Sequence, residues 1–151
     1  MTDIEWFDDL IVGSRCKSEE VRITETDIKR FAIEFDPQPM HLDEVAAAKT
    51  VFKGLAASGW HTAAIAMSLA TKARPRPLGP HPLIGIGVDE LRWLSPVRPG
   101  DVLYLEGEIV ELTRSRTKPQ GTVKIKWTLY RQGGEPVYTF TPIAVCPTCP
   151  M

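Results

Sequence analysis

The sequence predicts an α+β fold, with helical segments first, strands later, and a curved antiparallel sheet wrapped around one apolar helix. Three observations lead there. Between Thr62 and Lys72, the residues Ala63, Ala64, Ile65, Ala66, Met67, Leu69 and Ala70 are apolar nearly all round. A helix without a polar face is buried on most sides. From residue 83 the pattern changes to period two, most clearly where Val123, Ile125, Trp127 and Leu129 alternate with Lys124, Lys126, Thr128 and Tyr130. The turns Pro99-Gly100-Asp101, Lys118-Pro119-Gln120-Gly121 and Gln132-Gly133-Gly134-Glu135 are short and built from turn formers, as antiparallel neighbours require.

The elements follow in order. A short apolar stretch from Trp6 to Leu10 precedes Gly13, and residues 21–24 read as a short strand. Thr24 or Thr26 caps a helix over residues 27–34, whose Ile28, Phe31 and Ala32 share one buried face. A proline-locked segment, Phe35-Asp36-Pro37-Gln38-Pro39-Met40-His41-Leu42-Asp43, ends that helix. Asp43 caps a second short helix reaching Lys49, and residues 54–60 lead into the apolar helix. A loop with Pro75, Pro77, Gly79, Pro80 and Pro82 precedes four strands at 83–93, 101–112, 122–131 and 137–145. With short connections, these four are expected to pair in chain order as a meander.

Bulk properties narrow the function. A chain of 151 residues suits one domain, 1–151, with a real core. The net charge of −1 gives no general attraction to nucleic acid or anionic membrane. No apolar run reaches the roughly 18 residues that span a bilayer. The start, Met1-Thr2-Asp3-Ile4-Glu5, is acidic and lacks the basic and apolar regions of a secretion signal, so a cytoplasmic location is expected. Three cysteines cannot all pair. Cys146 and Cys149 form a C-x-x-C that contains Pro147 and is followed by Pro150, without the further ligands zinc needs, and read as the ragged end of a last strand. Gly85-Ile86-Gly87 lies inside a strand and lacks the rest of a dinucleotide fingerprint.

The candidate chemistry lies in residues 35–43. Pro37 and Pro39 fix φ, remove two donors and push Asp36 and Gln38 toward extended geometry. A rigid extended turn of this kind holds a carboxylate and an imidazole at a set separation, as acid–base chemistry on water needs. Asp36 alone would read as a turn residue; its pairing with His41 makes the functional reading the stronger one. Asp43 and Glu44 suit the N-terminus of the following helix instead. Ser58 lacks a nucleophile-elbow context. His61 reads as structural or pocket-lining, and His81 as a loop residue. The basic groups at Lys72, Arg74 and Arg76, and at Arg114, Arg116 and Lys118, read as solvated loops or as contacts to a phosphate.

This layout, together with Asp36-Pro37-Gln38-Pro39-Met40-His41, resembles the MaoC-like, (R)-specific enoyl-CoA hydratase family of hotdog-fold proteins. That family's motif reads Asp-x-Asn-Pro-x-His, followed downstream by a glycine that opens the central helix. Asp36, Pro39, His41 and Gly59 match it, and Val97-Arg98-Pro99-Gly100-Asp101 resembles the family's approach to its next strand. Gln38 stands in place of the family's Asn, and Ser58 in place of a frequent His. The resemblance implies reversible addition of water across the 2,3 double bond of an enoyl thioester, carried on coenzyme A or an acyl carrier. Asp36 and His41 would share the proton work, with the Gly59 N–H at the thioester oxygen; Ser58, Trp60 and Gln38 would contact substrate. It implies no cofactor, no nucleic acid, no membrane, and a homodimer or assembly of dimers joined sheet edge to sheet edge. A hotdog thioesterase and a non-catalytic acyl-thioester-binding subunit are the alternatives.

Overall fold

The computed structural model describes residues 4–151. Residues 1–3, part of the acidic start read above, lie outside the described residues. After a 3₁₀ turn at Phe7–Asp9 come β1 (Arg15–Lys17), β2 (Val21–Arg22), α1 (Glu25–Phe35), α2 (Pro39–Leu42), α3 (Glu44–Ala48), α4 (Gly59–Lys72), β3 (Ile84–Trp93), β4 (Val102–Arg114), β5 (Gln120–Arg131) and β6 (Pro136–Pro147). A curved antiparallel sheet packs against α4, the hotdog arrangement that the resemblance implies.

Thr24 is the cap of α1: its hydroxyl accepts from the Asp27 N–H at 3.1 Å. Ile28 and Ala32 are fully buried on its inner face. The helix stops because Pro37 disfavours helical geometry at Asp36, whose own N–H still reaches Ala32 O. The proline segment departs from expectation. It is extended only through Gln38; Pro39 then takes the first position of one helical turn, where its missing N–H has no partner to lose. His41 therefore rides on a turn of helix. Asp43 caps α3 as expected, accepting from the Ala46 N–H at 3.0 Å.

Helix α4 begins at Gly59, earlier than the apolar pattern suggests, because Ser58 caps it. Thr62, Ala66, Leu69 and Ala70 face the core, and the small side chains let the sheet approach closely. The opposite side is not buried within this chain: Trp60 and Met67 are exposed.

The expected four-strand meander is only partly present. β4, β5 and β6 pair in order, but β3 pairs with β6, in register from Ile84 opposite Val145 to Trp93 opposite Tyr138. The far flank of β4 is occupied by β1 and β2, with Arg15 opposite Glu108 and Val21 opposite Leu103. β3 therefore cannot pair there and becomes a sheet edge. Residues 94–101 cross the end of the sheet to reach β4, and the Arg131 guanidinium holds that crossing through Ser95 Oγ, Pro96 O and Asp101.

The period-two reading of β5 holds: Val123, Ile125, Trp127 and Leu129 are each at most 1% exposed. Leu103, Leu105 and Ile109 of β4 join them. A Cβ on Gly107 would lie 2.5 Å from the Trp127 ring, so glycine lets the indole lie across β4. Among the described residues no helix is long and apolar enough to cross a membrane, which says nothing of a barrel.

Candidate active site

The end of α1 and the turn of α2 bring Asp36 and His41 together. The His41 ring is buried, with Nδ1 2.7 Å from Ala56 O. A carbonyl only accepts, so Nδ1 carries a proton, and in the neutral form of the ring the lone pair is at Nε2. That Nε2 lies 3.3 Å from Asp36 Oδ2.

The carboxylate is held from two sides. Gln38 Nε2 donates to Oδ1 at 2.6 Å, and Ser58 Oγ donates to Oδ2 at 2.7 Å. Burial pushes the Asp36 carboxyl up, but these hydrogen bonds and the nearby His41 outweigh it and hold the group below its ordinary value. Asp36 is therefore ionised near neutrality. When the His41 ring is neutral, two acceptors face each other. A water donating one hydrogen to each would satisfy both.

Both groups open into a cavity of about 440 Å³, whose walls include Met40, Phe52, Gly59 and Trp93. A cavity of about 480 Å³ between β1, β4 and β5 has charged walls and contains neither member of the pair. The chemistry of Asp36 and His41, not cavity size, marks the first as the candidate site.

Gly59 is the first residue of α4, and no hydrogen bond engages its N–H among the described residues. Packing gives a reason for glycine at this position: a Cβ here would lie 2.7 Å from Cε2 of Trp93. The indole fills that space and donates from Nε1 to Gly59 O at 2.7 Å. Trp60, 60% exposed, meets Trp93 edge-on at 5.0 Å and also lines the cavity.

Ser58 and Gln38 were expected to touch substrate, yet both direct their side chains to Asp36. Ser58 is fully buried and does not line the cavity, so it reaches a ligand only through Asp36. His61 stacks on Phe31 at 4.7 Å, away from the cavity, and His81 lies beside Trp6. Arg114 pairs with Asp8. Cys146 is buried in β6 and Cys149 is exposed beyond it, both free. Among the described residues no cluster of three or more His, Cys, Asp or Glu is arranged to hold a metal ion. Sequence reasoning missed the Ala56 carbonyl, a backbone atom that leaves no mark in residue identity.

Residues 10–130 match the MaoC like domain. The chain belongs to the MaoC-like domain family. It is 32% identical over 125 residues to the uncharacterized protein YdeM of Bacillus subtilis, covering 83% of this chain and 86% of that one. Among solved structures it resembles the MaoC-like dehydratase from Rhodospirillum rubrum, with 43% identity, a TM-score of 0.88, and coverage of 97% and 99% of the two chains. It also resembles the R-hydratase PhaJ1 from Pseudomonas aeruginosa, with 28% identity, a TM-score of 0.71, and coverage of 97% and 88%. The fold is thus the hotdog fold of hydratases and dehydratases.

Proposed function

We propose that residues 1–151 form one enzyme domain that adds water to the 2,3 double bond of an enoyl thioester, or removes it from the 3-hydroxyacyl thioester. The observation that carries this reading is the 3.3 Å approach of His41 Nε2 to Asp36 Oδ2 at the wall of an apolar cavity. A water bound between them gives its oxygen to C3. Its proton goes to Nε2, because an imidazole lone pair is a stronger base than a carboxylate held below its ordinary range. Asp36 aligns the water and stabilises the imidazolium. Attack at C3 places negative charge on the thioester oxygen, and the free Gly59 N–H at the start of α4 offers a donor there. The imidazolium then returns its proton to C2. The product carries one water more than the substrate, and both side chains end as they began. No cofactor is needed.

The relatives' names, a dehydratase and an R-hydratase, support water addition or removal as the class of reaction, and the reading takes the thioester to be carried on coenzyme A or an acyl carrier. Three unpaired cysteines suit a reducing compartment, so the reading places the protein in the cytoplasm. It also takes the chain as a homodimer joined along β3. That strand is a free edge, and Ile84, Ile86, Val88 and Trp93 are exposed along it. Long apolar edges invite pairing.

The test is hydration of a series of enoyl-CoA esters, followed by loss of enoyl ultraviolet absorbance. Wild type is expected to turn over at least one chain length, and Asp36→Asn and His41→Ala to lose about 100-fold or more while staying folded. No turnover on any ester, or full rate in both variants, would sink the reading. Release of free thiol would indicate thioester hydrolysis instead.

A further inference from the structure

We infer that Arg98 is a positioning residue for the imidazole of His41: it fixes the loop that aims the Ala56 carbonyl, and so sets which ring nitrogen is free to act on water. The inference rests on the hydratase reading for its kinetic consequence, but its structural part stands apart from it.

The loop between α3 and α4 has no regular secondary structure from Gly54 to Ser58, yet it supplies the acceptor for His41. Its shape is set from outside. Arg98 Nη1 donates to Gly54 O at 2.8 Å and to Leu55 O at 3.2 Å, and Nη2 donates to Phe52 O. Every one of these partners is a backbone carbonyl. Three carbonyl oxygens turned toward one point repel each other unless a cation with several fixed donors lies between them, which a planar guanidinium supplies and an ammonium matches poorly. The next peptide is tied on both sides, with Ala56 N–H to Met40 O at 3.2 Å and Ala57 N–H to Val97 O at 2.9 Å. Ala56 O is then left pointing at His41 Nδ1.

A second observation agrees. Lys53 has φ of +55°, a left-handed conformation unfavourable for a residue with a Cβ. Such strain persists only where surroundings over-determine it. Arg98 grips the carbonyls on both sides of Lys53. Arg98 is itself anchored: its N–H donates to Asp101 Oδ2 at 2.8 Å, and the same oxygen accepts from Arg131 Nη1 at 3.2 Å. A chain of contacts thus runs from the end of β5 to the ring of His41.

Without the guanidinium the carbonyls spread, Lys53 relaxes, and Ala56 O leaves Nδ1. The ring then samples both tautomers, and Nε2 carries a proton part of the time, when it cannot accept one. The test compares wild type, Arg98→Met and Arg98→Lys by ¹⁵N NMR of the His41 ring, by kcat and KM on the best enoyl-CoA ester, and by the pH profile. Wild type is expected to show the Nδ1–H tautomer. Arg98→Met is expected to show a mixture, a kcat lowered about 10-fold or more with KM little changed, and a shifted profile. Arg98→Lys is expected to fall between, and it carries the test if Arg98→Met does not fold. A variant that folds and keeps the wild-type tautomer, kcat and profile overturns the inference. If wild type turns over no ester, the hydratase reading fails while the tautomer measurement still decides the role of Arg98.

Discussion

Ser58 Oγ donates to Asp36 Oδ2 at 2.7 Å and accepts from the Trp60 N–H at 3.3 Å. One hydroxyl therefore joins the acid of the site to the first turn of α4, and α4 cannot shift without moving the carboxylate.

Ser58→Ala is expected to lose both functions together. Loss of the cap costs about 1 kcal/mol of stability, seen as a lower Tm. Loss of the hydrogen bond lets the Asp36 carboxyl rise toward its ordinary value, seen in a ¹³C titration of that group. The sign for stability follows from a native value below the unfolded one. Asp36 contributes stability above the unfolded value of 3.8, and the contribution disappears as pH falls through the lower native value. Ser58→Ala shrinks that contribution, so its Tm deficit is larger at neutral pH than below the acid transition. An unchanged Asp36 titration would mean that the hydroxyl does not hold the carboxylate.

A pH effect at higher values is expected from His61. Burial pushes its ring below the ordinary 6.5; the Asp27 carboxylate opposes this and Arg30 adds to it. Among the described residues its Nδ1 is buried without a hydrogen-bond partner, and the ring lies flat on Phe31. Here the unfolded chain binds the proton more readily than the native one. The stability that neutral His61 confers is complete above about 6.5 and declines as pH falls toward the lower native value. Tm should drop between pH 7.5 and 5.5, and His61→Phe should flatten that drop. An equal drop in the variant would assign it to other groups.

Proposed pairing along β3 yields a direct expectation. Ile86 is 63% exposed on that edge. Ile86→Lys puts a charge where a second copy's strand would lie, and charged residues guard natural edges against pairing. Light scattering with size exclusion is expected to show a dimer for wild type and a monomer for the variant. A monomeric wild type at micromolar concentration would remove the basis for the pairing.

Legibility in the sequence followed the range of each interaction. The cap at Thr24, the cap at Asp43 and the alternation in β5 are set by neighbours a few residues apart, so local pattern carried them. β1 was missed because Arg15-Cys16-Lys17 buries one side chain in three residues, too few to show a period. The partner of β3 was misread because it depends on β1 and β2 occupying β4, and no residue of β3 records that. Asp36 and His41 were legible because the prolines between them make a long-range question short. Trp93 over Gly59 was not, since 34 residues separate them and both types occur in ordinary cores.

Whether Gly59 is glycine for the indole or for a ligand can be decided by a double-mutant cycle. A Cβ at position 59 meets Trp93 Cε2 at 2.7 Å and Nε1 at 2.8 Å, contacts that force one side to move. Gly59→Ala alone is expected to destabilise by about 1–3 kcal/mol, the usual cost of overfilling a packed site. Trp93→Ala alone removes the indole and its hydrogen bond to Gly59 O. If the indole is the reason for glycine, Gly59→Ala should cost much less stability in the Trp93→Ala background, with a coupling of about 0.5–3 kcal/mol, as residues in contact show. The N–H of residue 59 remains in every variant, so an oxyanion role predicts that Gly59→Ala does not further lower kcat once Trp93 is gone. A further kcat loss in the double variant, without a matching stability loss, would instead mean that the Cβ meets the ligand itself.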